Sequence, residues 1–199
     1  ADRAAGLGLF SREEAGQAKV CLMIWTTTAW TLAANLAVAV HPHLEYTAVR
    51  YHRAGQAFVS IVAADRVGAV MAAGGLDPGR CQVSPKTVKG SDLEGLRYTH
   101  CFVPTNPTGQ DAYKVILADY VTTEDGTGLV HIAPGHGLED YVSGTQYGLA
   151  VYSPVRDDGC YDDTVPDWLR GRNVLEVDQI VQARLDQAGW LFAKGQIVH

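Results

Sequence analysis

No uninterrupted apolar run in this chain is longer than six residues, Val20-Cys21-Leu22-Met23-Ile24-Trp25. That is enough for one buried strand and too little for a long core helix. It is far short of the ~20 residues a membrane-spanning helix needs, so no membrane partner is expected. The interior must therefore come from short pieces. Leu36 to Val40 is a second apolar run, and Glu45 to Tyr51 alternates loosely. Ala57 to Val62 follows His52-Arg53-Ala54-Gly55-Gln56, a Gly-bearing turn that predicts a hairpin. Tyr113 to Leu117 and Leu129 to Ile132 are further strands, the second entered through the turn Glu124-Asp125-Gly126.

Helices are few. Asp65 offers an N-cap, Val67, Val70 and Met71 share a face, and Gly74-Gly75 forms a stop. Val177, Ile180, Val181, Leu185 and Ala188 make the clearest stripe, ended by Gly189. Strands and helices do not alternate regularly. The expected class is α+β, an antiparallel β-rich distorted barrel with a few flanking helices. A doubly wound parallel sheet is the alternative.

The 199 residues suit one domain with a short appendage. Residues 1–17, Ala1 to Gln17, are small, Gly-bearing and charged, and read as a linker or lead-in to a domain over residues 18–199. The chain begins without Met and without a signal peptide's apolar stretch, which suggests a fragment or a processed chain. Sixteen basic residues against 22 acidic ones give a net charge of −6. That excludes a grip on nucleic acid by bulk charge, and leaves room for a local RNA contact. Cys21, Cys81, Cys101 and Cys160 are far apart with no C-x-x-C pair. Free thiols and a reducing, cytoplasmic compartment follow.

Two segments stand out chemically. Trp25-Thr26-Thr27-Thr28-Ala29-Trp30-Thr31-Leu32-Ala33-Ala34-Asn35 places four threonines, two tryptophans and an asparagine in eleven residues. Threonine hydroxyls donate and accept without charge, so such a loop can hold sugar hydroxyls, a phosphate or an ester carbonyl. An ordinary strand with exposed threonines is the competing explanation. Three consecutive threonines cannot, however, share one face of a strand. The second segment runs from Gly126-Thr127-Gly128 through His131 and Pro134-Gly135-His136-Gly137 to Glu139-Asp140-Tyr141. Gly135 and Gly137 let backbone approach a ligand closely. A helix beginning near Leu138 puts Asp140 in its first turn, where the helix dipole favours an ionised carboxylate. Such a carboxylate beside a pocket is a receptor for an ammonium group. Asp140 as a plain helix-stabilising residue is the competing explanation.

His131 and His136 lie five residues apart, unlike the four of a helical metal pair, and His41 and His43 have no sequence link to them. No metal and no other cofactor is expected. A Ser nucleophile elbow, a Walker loop and a dinucleotide fingerprint are absent. Arg156-Asp157-Asp158-Gly159 and Tyr161-Asp162-Asp163 read as a solvated acidic turn whose spacing does not match an EF-hand loop.

Together the two segments resemble the editing domain inserted into isoleucyl-tRNA synthetases, connective peptide 1. The family's W-T-T-T-P-W-T-L-P-A-N stands here from Trp25 to Asn35, with Ala29 and Ala33 in place of two prolines. Its G-T-G-x-V-H-x-A-P-G-H-G-x-x-D-Y runs unbroken from Gly126 to Tyr141, about 90 residues further on. Thr28 fits the isoleucyl member, since the valyl and leucyl relatives carry Arg at the matching place. Weaker likeness, including Ala118-Asp119-Tyr120-Val121, covers most of the remainder.

The resemblance implies hydrolytic release of valine from the 3′ end of tRNA(Ile), with valyl-adenylate as a further candidate substrate, while isoleucine is excluded. Binding alone discriminates one methylene by only ~1–3 kcal/mol, which is why a second pocket is needed. It implies that Asp140 binds the substrate ammonium and that Thr27 and Thr28 line the terminal adenosine and ester. His131 shapes the side-chain pocket, Trp25 forms a wall and Asn35 supports. Asp140, Thr28 and His131 are thus the candidate catalytic residues. Trp25, Thr26, Thr27, Asn35, Gly135 and His136 are the candidate substrate-binding ones. The implied partners are the tRNA 3′ end and the remainder of a parent synthetase. A non-catalytic tRNA-binding or regulatory module with the same fold is the alternative, because Ala29 and Ala33 free a loop that proline would stiffen. An unrelated metallohydrolase is a third reading.

Overall fold

The structure is a computed structural model and describes residues 6–195. Strands β1 (Lys19–Leu22), β2 (Ala37–Val40), β3 (Glu45–Arg53), β4 (Gln56–Ala63), β5 (Gln82–Val83), β6 (Val88–Lys89), β7 (Lys114–Leu117) and β8 (Leu129–Ile132) form two sheets. The first has the order β1-β4-β3-β5, with β6 also paired to β3. The second has the order β7-β2-β8. Helices α1 (Arg12–Ala15), α2 (Val67–Ala73), α3 (Gly90–Leu93), α4 (Leu138–Gln146) and α5 (Asp178–Gln187) flank them.

The β3–β4 hairpin forms where the sequence predicts it. Its two turn residues, Ala54 and Gly55, have φ of 49° and 78°. Both are positive, which matches the right-handed twist of the flanking strands. β2–β8 is antiparallel as well, whereas β1–β4 and β2–β7 are parallel. The class is α+β with mixed sheets. Periodicity sets which face of a strand is apolar but not which neighbour it meets, so these two parallel pairs come from tertiary packing.

The sheets join along one seam. Beyond β1, Met23 N–H donates to Ile61 of β4 at 3.2 Å, and Trp25 N–H donates to Leu129 of β8, also at 3.2 Å. One extended segment thus steps from the first sheet to the second and curls them into a partial barrel. Tyr46, fully buried, accepts from His41 N–H and donates to the Gly128 carbonyl, both at 2.9 Å. The Thr-rich segment therefore leaves the seam directly, while the Gly126–Gly128 turn enters it.

The core between the sheets holds Val38, Val40, Ile61, Val115 and Leu129. Leu9 and Phe10, in the segment read as a lead-in, are buried in this same cluster. Ala1 to Ala5 and Gln196 to His199 lie outside the described residues. The Asp65 cap is corrected. Its carboxylate accepts from Thr123 Oγ1 at 2.9 Å, and α2 starts after a short 3-10 turn with no side-chain cap. The cross-loop hydroxyl has taken the acceptor the helix would have used. α5 buries Val177 and Val181, while Ile180 and Leu185 are half-buried.

Candidate functional site

Trp25 to Asn35 is not a strand of exposed threonines. Ala29–Ala34 is a 3-10 helix with Thr28 at its N-cap. Thr31 Oγ1 donates to the Thr28 carbonyl at 2.8 Å, and Thr28 N–H donates to Thr26 Oγ1 at 3.1 Å. This turns the Thr27 and Thr28 hydroxyls toward each other, 3.3 Å apart. Trp25, Thr26 and Thr27 line a cavity of about 690 Å³, together with Gly126 and Thr127. Thr28, His131 and Asp140 do not line that cavity.

The two motifs lock together at several points besides the Trp25–Leu129 bond. Thr31 Oγ1 meets His131 Nε2 at 3.1 Å. The Trp30 and His136 rings meet edge to face at 5.0 Å. Leu36 N–H donates to the Ile132 carbonyl at 2.9 Å. Gly126 lies so close to Trp25 that a Cβ there would come within 2.9 Å of the indole.

His131 is buried at 7% exposure, and burial pulls its imidazole down to about 4. His100 and His136 push in the same direction. The ring is neutral at physiological pH. Thr31 has already given its proton to the Thr28 carbonyl, so His131 Nε2 is the donor in their bond. Nδ1 is then a bare acceptor, and it is buried without a partner. His136 Nε2 is likewise buried without a partner, and burial lowers that imidazole too. Among the described residues, no three His, Cys, Asp or Glu side chains gather as a metal-ligand set. His131 and His136 therefore each keep one buried, unpartnered ring nitrogen, and neither lines that cavity.

Asp140 sits in the first turn of α4, as the sequence predicts. Its Oδ2 accepts from Ala133 N–H at 2.9 Å, and Tyr120 OH lies 3.5 Å from Oδ1. The helix start is not the sole influence on its charge. Burial raises the carboxyl above its ordinary value, and the Ala133 and Tyr120 bonds oppose it. A cation arriving at this oxygen pair would be drawn to a partly desolvated carboxylate.

Gly135 is required by packing. A Cβ there would come within 2.2 Å of the Tyr152 carbonyl. A Cβ on Gly137 would press on the Asp140 carboxyl carbon at 3.1 Å. Asn35 turns inward. Its amide donates to the Ala37 carbonyl at 2.7 Å and its oxygen accepts from Tyr98 OH. Asn35 thus secures the end of the Thr-rich helix from inside the fold. Sequence reasoning missed Tyr98, Tyr120 and His100. His100 donates from Nε2 to Leu32 at 2.9 Å and accepts two backbone N–H groups at Nδ1. Isolated polar residues in loops carry no spacing signal, although Tyr120 lies in a stretch that shares the weaker likeness.

No protein-family profile matches the chain. Individual proteins do. The isoleucine–tRNA ligase of Thermococcus kodakarensis is 43% identical over 188 residues, covering 91% of this chain and 17% of that protein. That of Sodalis glossinidius is 42% identical over 197 residues, covering 99% and 19%. The chain thus spans less than a fifth of the length of these relatives. Among solved structures, GlLeuRS-CP1 superposes with a TM-score of 0.66 at 18% identity, over 98% of this chain and 92% of that one. The Plasmodium falciparum cytosolic leucyl-tRNA synthetase editing domain gives 0.62 at 10% identity, over 88% and 80%. At such identities these two establish the fold. No helix among the described residues is long and apolar enough to cross a membrane. With both motifs interlocked in the synthetase editing fold, and over 40% identity along some nine-tenths of its length, the chain belongs to the isoleucine–tRNA ligase family as one segment of such a protein.

Proposed function

We propose that this segment is the editing domain, over residues 18–199, of an isoleucine–tRNA ligase. It hydrolyses the ester of valyl-tRNA(Ile), and valyl-adenylate where that forms, and excludes isoleucine. The observation that carries this reading is the interlock of the two motifs, through Thr31 with His131 and Trp30 with His136. It ties Thr27 and Thr28 to the strand whose end holds Asp140.

On this reading the terminal adenosine enters the cavity beside Thr26, Thr27, Gly126 and Thr127. Its ester reaches the Thr27–Thr28 hydroxyl pair, and the substrate ammonium meets Asp140. Neutral His131 walls the amino-acid side chain. An aminoacyl ester is already activated, so positioning contributes most of the acceleration. Water adds to the ester carbonyl, the carbonyl–ribose oxygen bond breaks, and the ribose oxygen takes a proton. Valine and an uncharged 3′ end result. Asp140 anchors and is not the base. No cofactor enters this scheme within the segment. The rest of the synthetase grips the rest of the tRNA in the cytoplasm, which is why an acidic segment can serve an RNA substrate.

Calorimetry with a stable amide analogue, 3′-valylamino-3′-deoxyadenosine, tests the pocket without turnover. The segment is expected to bind the valyl analogue at least about tenfold more tightly than the isoleucyl one, on the scale of one rejected methylene. It should also lose at least about tenfold when a hydroxyl replaces the α-ammonium, on the scale of a charged hydrogen bond. Equal affinity for all three overturns the reading.

A further inference from the structure

Trp30 is held at both its N–H and its carbonyl by residues from the far end of the chain. Its N–H donates to Asp178 Oδ1 at 3.1 Å, across 148 positions. Its carbonyl accepts from Tyr161 OH at 2.6 Å. Tyr161 is fully buried, and Asp178 opens α5, where the helix dipole favours a carboxylate. The 3-10 helix that carries Trp30 has no side-chain cap of its own at Thr28. Its leading N–H groups lack partners within the helix, so an outside acceptor decides how firmly that turn is held.

From this clamp we infer that Asp178 is a positioning residue for ester hydrolysis, acting through the Trp30 peptide on the Thr27–Thr28 hydroxyl pair. The path is short and continuous. Asp178 holds Trp30 N–H. Thr31, next in the chain, binds the Thr28 carbonyl with its hydroxyl and its N–H, at 2.8 and 3.3 Å. Thr28 Oγ1 then faces Thr27 Oγ1. At positions 29 and 33 alanine leaves φ free where proline would fix it. The loop's rigidity has to come from partners, and Asp178 and Tyr161 supply it from outside both motifs. Asp178 also lines the cavity that Thr26 and Thr27 share. This role rests on the proposed hydrolysis.

The test uses the full-length parent enzyme, with valyl-tRNA(Ile) as substrate and hydrogen exchange as a second readout. Asp178→Ala should lower kcat for valine release about tenfold, the loss expected of one positioning hydrogen bond. KM should stay within about twofold, and aminoacylation should be unchanged, because neither depends on this turn. Exchange at the Trp30 amide should quicken while amides within α5 keep their protection. Asp178→Asn keeps an acceptor and should restore kcat to within about threefold of wild type. If Asp178→Ala does not fold, Asp178→Asn and Tyr161→Phe carry the test, and a several-fold loss in Tyr161→Phe alone supports the clamp. Wild-type kcat in Asp178→Ala overturns the role. So does an equal loss in Asp178→Ala and Asp178→Asn accompanied by loss of protection throughout α5. If the wild-type enzyme releases no valine, the reading of the site itself falls, a result distinct from an active enzyme indifferent to position 178.

Discussion

Asp140→Ala is expected to bring valine release from valyl-tRNA(Ile) down to the spontaneous rate, a loss of at least about 100-fold. Truncating one partner of a hydrogen-bonded charge pair removes roughly 2–5 kcal/mol, and on the proposed reading the other partner is the substrate's ammonium. The Ala133 N–H loses its acceptor in the same variant, so a small loss of stability should accompany the loss of rate. Asp140→Asn separates the two effects. It keeps an oxygen for Ala133 and removes a carboxylate that burial has pushed above its ordinary range. The ionised form is the one the folded state disfavours, so the neutral amide should match or exceed wild-type Tm. Deacylation by Asp140→Asn should be as poor as by alanine. The measurement is single-turnover deacylation beside a thermal melt of each variant. Wild-type rates in Asp140→Asn would show that shape, and not charge, is what position 140 supplies.

The second large effect is on stability against pH. His100 and His131 are both held neutral by burial, each drawn from 6.5 to about 4. The unfolded chain takes up protons on these rings near 6.5, and the folded chain only near 4. Between those values the unfolded state binds more protons, so stability falls as pH falls through that window. At about 1.4 kcal/mol per pH unit, the interval is worth on the order of 3 kcal/mol for each ring. Urea midpoints should be level above pH 7 and drop steeply toward pH 4.5. Replacing His100 by Asn should shift the whole curve downward but flatten it by roughly one proton in slope. A wild-type midpoint that does not change between pH 7 and 5 would contradict the buried, neutral assignment of both rings.

The sequence made some of this fold legible and concealed the rest, for physical reasons. The β3–β4 hairpin could be read because alternation and the Ala54-Gly55 turn are local signals. So could the start of α4, after Gly137, and the stop of α5, before Gly189. The parallel partners of β1 and β2 could not, because pairing partners are chosen by three-dimensional packing. At the site, the motifs gave Asp140, Thr28 and His131, and the fold holds the two motifs against each other. The helix start points to an ionised Asp140 but not to the burial that raises its carboxyl, since desolvation depends on neighbours distant in sequence. The motif points to a supporting Asn35 but not to its bonds with Ala37 and Tyr98 inside the fold. Asp178 and Tyr161 belong to no motif and lie far from Trp30 in sequence, so only the folded chain reveals them.

Two aminoacyl esters on one tRNA put the central claim to its most direct test. Valyl-tRNA(Ile) and isoleucyl-tRNA(Ile) are given side by side to the full-length parent enzyme, and release of each amino acid is followed under single turnover. On the proposed reading, in which His131 walls the pocket and Asp140 anchors the substrate, the valyl ester should be hydrolysed at least about 100-fold faster than the isoleucyl one, since exclusion of a methylene is added to loss of position at the reacting carbon. Equal release of both amino acids, or release of neither above the spontaneous rate, would contradict it.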